Sequence, residues 1–251
     1  MGDALTMRIE VTGLEVVRGR SLAVRGVSLA ASSGKWLGIV GANGSGKTSL
    51  LRAMAGRLDV AGGSIVIDGI VVTHDRASRA RNIGFAPEAA ALPGSLVAGQ
   101  LFSLLASRPH HEEHDLAQLR AALGITALLD RRIGTLSSGN RQRVAIYAAF
   151  VAPTRRRSVI LDEPFNWLDP VCAYELKIAL SALVASGLTL ITALHDLASW
   201  AMLCDHGVLL TDGLVAADLS ANELIEGRRD LAGFEQNIIG RLRSPVAAGL
   251  P

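Results

Sequence analysis

Gly41-Ala-Asn-Gly-Ser-Gly-Lys-Thr48 is the stretch on which the fold turns. The run fits G-x-x-x-x-G-K-[ST]. Its glycines let a loop wrap tightly enough for successive backbone N–H groups to point inward at an anion. A helix opening at the end of the loop adds its N-terminal partial positive charge. Lys47 is then placed to reach the β- and γ-phosphates of a nucleotide, and the Thr48 hydroxyl to ligate Mg²⁺. Glycines at 41, 44 and 46 do not have the G-x-G-x-x-G spacing of a dinucleotide site. The flanks agree with the cradle: Trp36 to Val40 is a short apolar run of the kind buried on both faces of a sheet, and Thr48 to Leu58 reads as a helix. Gly41, Asn43, Gly44, Ser45, Gly46, Lys47, Thr48 and Ser49 are therefore expected to hold phosphate.

A second buried strand carries acids. Ser158-Val-Ile-Leu-Asp162-Glu163-Pro164 puts two carboxylates at a strand's C-terminal end, the edge at which open parallel sheets bind ligands. Asp162 would hold Mg²⁺, directly or through water, and Glu163 would orient or deprotonate an attacking water. Adjacent strand residues point to different sides, so the pair can serve both roles.

Further out, Met7 to Leu14 and Ser21 to Ala30 read as strands joined around Arg18-Gly19-Arg20. Gly62-Gly63 breaks the pattern, and Ser64 to Val72 returns as strand around the Asp68-Gly69 turn. From Glu88 to Phe150 the periodicity is helical, in Leu96 to Ser107 and Leu116 to Leu129, with no strand between. Arg157 to Asp162 is strand, Tyr174 to Ala185 helix and Leu188 to Ala193 strand. His206 to Thr211 and Leu214 to Ala217 flank Asp212-Gly213, a hairpin signal. The expected class is α/β with a helical insertion, ending in a poorly ordered tail from Arg241 to Pro251.

Composition narrows the field. The chain has 251 residues, 49% apolar and 19% charged, so it has ample material for a core and is not intrinsically disordered. A net charge of +2 leaves no basic footprint for nucleic acid. A mean hydropathy of +0.34 raises the question of a membrane span. The best candidates, Val144 to Pro153 and Leu188 to Leu194, fall well short of the roughly 20 residues a spanning helix needs. The first residues lack the features of a secretory signal. Cys172 and Cys204, in no metal-like spacing, suit a reducing compartment and read as buried small apolar residues. The expected location is cytoplasmic.

Leu136-Ser137-Ser138-Gly139-Asn140-Arg141-Gln142-Arg143 supplies a second helix start built from small residues, again able to hold phosphate oxygens. Here the chain resembles the ATP-binding cassette (ABC) ATPases, whose LSGGQ signature it matches at Leu136, Ser137 and Gly139, with Ser138 and Asn140 as replacements. Ile83 to Glu88 falls at the family's Q-loop, Asn166-Trp167-Leu168-Asp169 at its D-loop and Leu194-His195-Asp196 at its H-loop. The resemblance spans roughly residues 7 to 225. It implies a P-loop NTPase core with an antiparallel β subdomain and a helical insertion. One domain would cover residues 1–240, with a RecA-like core at about 1–87 and 151–225, a helical subdomain at about 88–150, and a tail at 241–251.

The same resemblance implies a head-to-tail dimer, with itself or a homologous cassette, sandwiching two ATP molecules. Gly41 to Thr48 of one protomer would face Ser137, Ser138 and Gly139 of the other. Lys47, Glu163 and His195 would be catalytic, with His195 on the γ-phosphate. Thr48, Glu88 and Asp162 would serve the metal, and Asp169 would couple the two sites. Separate transmembrane permease subunits would dock near Phe85 to Leu105, holding the chain on the cytoplasmic face of the membrane.

Several positions depart from the family pattern. Glu88 stands where glutamine is most common and is similar to cassettes of the ABC-2 export type, so the expectation is an exporter subunit, with an importer as the alternative. Arg18 lies near the position of the adenine-stacking aromatic; it would stack through its guanidinium or stand as a solvated turn residue. Trp167 is bulky for a D-loop. Together with Ser138, Glu88 and Arg18 also motivate a slowly hydrolysing cassette. A non-transport role in DNA repair or translation is disfavoured by a single P-loop and a single signature. His110-His111-Glu112-Glu113-His114 does not fit HExxH and reads as a polar linker. Arg155-Arg156-Arg157, Arg228-Arg229, Arg241 and Arg243 read as solvated surface.

Overall fold

The computed structural model describes residues 7–106, 113–151 and 158–243. Among the described residues ten strands form two sheets. β1 (Met7–Arg18), β2 (Ser21–Ser32), β4 (Gly62–Ile67) and β5 (Ile70–Val71) make an antiparallel sheet in the order β2-β1-β4-β5. The second sheet runs β10-β9-β3-β8-β7-β6. It comprises β3 (Trp36–Gly41), β6 (Gly84–Phe85), β7 (Ser158–Asp162), β8 (Thr189–Leu194), β9 (His206–Thr211) and β10 (Leu214–Leu219). Its pairings are parallel except β9 with β10. Both expected turns carry two successive left-handed residues, Asp68-Gly69 and Asp212-Gly213, the conformation that two-residue hairpins require.

Every residue of β3 and β8 is buried, as expected of central strands covered on both faces. The two threonines of β8 are hydrogen-bonded, Thr192 Oγ1 accepting from Trp36 Nε1 at 2.8 Å and Thr189 Oγ1 from Gly34 N at 3.1 Å. Side chains alternate between two cores. Trp36 and Val40 join Val159, Leu161, Leu190, Leu194 and Leu209 on the side covered by the helices of the insertion and the C-terminal half. Leu37 and Ile39 join Ile160, Ile191, Val208 and Leu210 on the side covered by α1 (Lys47–Met54) and the antiparallel sheet. The C-terminal ends of β3, β7 and β8 thus come together at one edge, bringing Gly41, Asp162 and Leu194 with them.

The insertion contains α3 (Ala98–Leu105), α4 (Glu113–Ala122) and α5 (Ser138–Val151), after α2 (Arg76–Asn82). α6 (Pro170–Ala185), α7 (Leu197–Leu203), α8 (Ala221–Arg229) and α9 (Leu231–Arg243) follow. The helix read to Leu58 stops at Met54, because left-handed Gly56 (φ 71°) turns the chain and Arg57 and Leu58 both donate back to the Arg52 carbonyl. The helix read over Leu116 to Leu129 is two pieces: α4, then a 3-10 turn at Ile125–Leu128 begun by left-handed Gly124 (φ 58°). α6 starts four residues before the apolar pattern, since Asp169 accepts from Cys172 N at 2.9 Å as its cap and Pro170 fits the first turn. The tail read from Arg241 begins inside α9, which runs to Arg243.

The His110–His114 cluster and Arg155-Arg156-Arg157 lie outside the residues whose side chains are described. Among the described residues no helix is long and apolar enough to cross a membrane.

Trp200 on α7 is fully buried in a slot between two strands. A Cβ at Gly38 on β3 would lie 2.4 Å from its indole, and one at Gly207 on β9 would lie 2.6 Å from it. Its Nε1 donates to the Gly38 carbonyl at 3.0 Å.

Candidate nucleotide site

The loop after β3 is shaped by collisions as much as by turns. A Cβ at Gly41 would stand 2.2 Å from the Leu210 carbonyl oxygen, and one at Gly46 (φ 101°) 2.3 Å from that of Ala23. Gly44 is left-handed (φ 83°), but the space around it is open. Two contacts pin Ser45: its N–H donates to Ala42 O, and its carbonyl accepts from Gly213 N at 3.0 Å. The Ser45 hydroxyl is buried with no hydrogen-bond partner. Asn43 and Gly44 are exposed at the tip, and Ser49 lies half-buried in the first turn of α1.

Lys47 is 5% exposed and folds back over the loop, its ammonium donating to Gly41 O at 2.7 Å and Ala42 O at 3.1 Å. Desolvation lowers its pKa, against the raising influence of Glu163 and Asp162. Asp162, at the end of β7, is shifted the other way. Burial raises its pKa, and a hydrogen bond with the Thr48 side chain pulls against that. The Asp162 Oδ1 atom is buried without a partner.

Among the described residues no three His, Cys, Asp or Glu side chains cluster as a metal site. The Thr48 hydroxyl and the orphaned Asp162 oxygen are instead a small set of hard donors. They suit a cation that completes its shell with water and phosphate oxygens, as Mg²⁺ does.

Glu163 takes a left-handed conformation (φ 52°), which turns it away from Asp162. Its Oε1 meets His195 Nε2 at the end of β8, and its Oε2 accepts from Asn166 Nδ2 at 2.7 Å. Thr48, Glu88, Ser138, Asp162 and Glu163 all line one cavity of about 520 Å³. Glu88 reaches it already paired with Arg52 of α1. Ser138 opens α5, where Ser137 Oγ accepts from Asn140 N at 3.3 Å. Gly139 lies so close to the Trp167 carbonyl that a Cβ would stand 2.7 Å from it.

Asp169 caps α6 and pairs with Arg143 of α5; the Cys172 N–H first, then Arg143, hold its carboxyl below the usual range. Arg18 is exposed and lines a neighbouring groove of about 660 Å³ with Arg57, Leu58, Leu92 and Leu101.

Sequence reasoning did not find Arg52, and although Asn166 stood in the quoted D-loop, nothing tied its side chain to Glu163. Arg143 stood in the quoted signature, but nothing in the sequence tied it to Asp169.

A buried strand running into a glycine loop, a lysine folded over it and an acid-ended strand two places along the sheet define a P-loop nucleoside triphosphatase. The ABC transporter family model matches residues 24–166. The hemin import ATP-binding protein HmuV of Bordetella bronchiseptica is 34% identical over 224 residues, covering 84% of this chain and 86% of its own. The ferric enterobactin transport ATP-binding protein FepC of Escherichia coli is 30% identical over 218 residues, covering 82% and 79%. A solved ATP-binding subunit of an ABC transporter superposes with a TM-score of 0.79 at 24% identity, over 92% of this chain and 99% of that one, and shares its fold. The chain belongs to the ABC transporter family, as an ATP-binding and ATP-hydrolysing subunit.

Proposed function

We propose that two copies of this chain, or one copy and a homologous cassette, close head to tail on two ATP molecules and drive separate membrane permease subunits in the direction of import. The observation that carries the catalytic part is the Glu163–His195 pair facing the cavity that holds Thr48 and Asp162. A water oxygen bonds to the γ-phosphorus as the bond to the bridging oxygen of ADP breaks, and Glu163 receives the water's proton. Lys47 leaves the Gly41 and Ala42 carbonyls for the phosphates. His195 holds Glu163 and reaches the γ-phosphate. When bound at Thr48 and Asp162, with Glu88 nearby, Mg²⁺ neutralises phosphate charge. Ser137, Ser138 and Gly139 face the partner's loop, and Asp169 links the sites through α5 and α6. Arg18 stands at the edge of the nucleotide.

Import is supported by the similarity to HmuV and FepC along most of the chain. The expectation of export rested on Glu88, whose carboxylate is here occupied by Arg52, and the relatives favour the importer alternative. In this reading one domain spans residues 1–240, with a core at about 1–87 and 151–225 and a helical subdomain at about 88–150. The groove beside Leu58, Leu92 and Leu101 takes the permease, which holds the chain at the cytoplasmic face of the membrane. Cargo is chosen by the permease, since no residue of this chain need touch it.

ATP hydrolysis with Mg²⁺, measured against protein concentration, tests the motor. Turnover should rise more steeply than linearly and fall at least about 100-fold in Glu163→Gln. Hydrolysis unchanged in that variant would remove Glu163 from its role. In vesicles carrying the cognate permease with ATP on the cassette side, cargo moving toward the cassettes supports import, and the reverse flow overturns it.

A further inference from the structure

The Glu163 carboxylate is held at both ends, one oxygen by His195 and the other by Asn166 Nδ2 at 2.7 Å. We propose that Asn166 is a positioning residue for ATP hydrolysis, fixing the rotation of the Glu163 carboxylate so that the oxygen beside His195 is the one presented to the attacking water. The inference rests on Glu163 being the base. The last torsion of a glutamate side chain is broad, so a single contact to His195 leaves the carboxylate free to swing. A second contact on the far oxygen removes that freedom before nucleotide arrives.

The local chain is built to deliver the amide. With Glu163 in the left-handed region, Asn166 N donates to Glu163 O at 3.2 Å, and this tight turn returns the Asn166 side chain onto the carboxylate of the residue that began it. The next residue, Trp167, is also left-handed (φ 66°), and its carbonyl is packed against Gly139 at the start of α5. Two residues further on, Asp169 is tied to Cys172 N and Arg143. The segment bearing Asn166 is therefore anchored on both sides, while its side chain is exposed. Truncating an exposed side chain costs little stability, so an effect on turnover would come through Glu163 or through closure of the dimer, and the dependence of hydrolysis on protein concentration separates the two.

The test compares Asn166→Ala and the isosteric Asn166→Asp with the unaltered chain, in steady-state hydrolysis measured across protein concentration and in ATP-binding titrations. The kcat is read at saturating protein, and a loss that saturating protein restores overturns the proposal in favour of a dimer contact. Asn166→Ala should lower kcat by roughly 10- to 100-fold, the scale of a small misplacement of a catalytic group, with KM and ATP affinity within about twofold. Asn166→Asp, which replaces the donor by a carboxylate oxygen facing Glu163, should lower kcat further. Thermal midpoints of all three chains should coincide. A kcat for Asn166→Ala within twofold of the unaltered chain overturns the proposal, as does a parallel loss of kcat and ATP affinity. Beside these, Glu163→Gln separates the two ideas. If it keeps its turnover, the base is misassigned; if it is inactive while Asn166→Ala runs at full rate, only the positioning role falls.

Discussion

Replacing three glycines of the phosphate loop by alanine, one at a time, separates two costs that are usually confounded. Gly44 is left-handed with nothing within 4 Å of a built Cβ, so Gly44→Ala meets only conformational strain. That is about 1–2 kcal/mol, offset by about 0.4–1 kcal/mol from the stiffer unfolded chain. Gly41 needs no positive φ, but its Cβ would stand 2.2 Å from the Leu210 carbonyl oxygen. A backbone atom must then retreat by more than about 1 Å to reach ordinary contact, an overpacking cost of about 1–3 kcal/mol. Gly46→Ala incurs both: φ is 101°, and the Ala23 carbonyl oxygen lies 2.3 Å away. Less the same unfolded-chain offset, its loss should be about 1–5 kcal/mol, a large share of a stability of about 5–15 kcal/mol. Urea unfolding of the nucleotide-free chains reads the order Gly44, Gly41, Gly46, with the thermal midpoint falling about 2–4 °C per kcal/mol. ATP titrations should show the same order, because a retreating loop misaims its N–H groups. Equal losses for Gly46→Ala and Gly44→Ala would mean that the Ala23 carbonyl yields to the added methyl, and would overturn this separation of costs.

Trp200→Ala should cost about 3–5 kcal/mol, since a fully buried indole leaves a slot that two strands cannot close; denaturant midpoints check it. Asp169 gives a pH signature. Its folded-state pKa is depressed, so the stability it contributes is complete above the ordinary value of 3.8 and is lost as pH falls through the lower folded value. The gap in unfolding free energy between the unaltered chain and Asp169→Ala should therefore narrow on acidification in that window. A gap that is flat with pH would dissociate the cap from the carboxylate's charge.

Much of the central sheet could be read because burial on both faces leaves short, mostly apolar runs at β3, β7 and β8, punctuated by glycines and acids. The elements that escaped lack that pattern. α2 is Arg-Ala-Ser-Arg-Ala-Arg-Asn, with no apolar stripe; it is held by the Asp75 cap and by Arg79, a fully buried guanidinium donating to the Val72, Thr73 and Leu58 carbonyls. α7 is seven residues long and starts directly at the Asp196 cap, too short for a period to declare itself. α8 did carry a readable signal, the Ser220–Glu223 capping box. At the site, the phosphate loop and acid pair follow from residue types at fixed spacing. The pairs Arg52–Glu88, Asn166–Glu163 and Arg143–Asp169 do not, because each depends on how a turn or helix face brings side chains together.

The indole slot decides which mechanical freedoms His195 has. α7 begins two residues after it and is keyed to β3 and β9 by Trp200, so the helix can neither slide along the sheet nor roll on it without dislodging a fully buried ring. Lys177 of α6 adds a brace, donating to Ser199 Oγ at 2.7 Å while its ammonium lies 5.1 Å over the Phe165 ring. If His195 reaches a phosphate as proposed, its swing from Glu163 would be confined to its own side-chain torsions and the short link through Asp196. Such a swing would ask of the fold a fixed frame, with the travel set by the length of one imidazole arm.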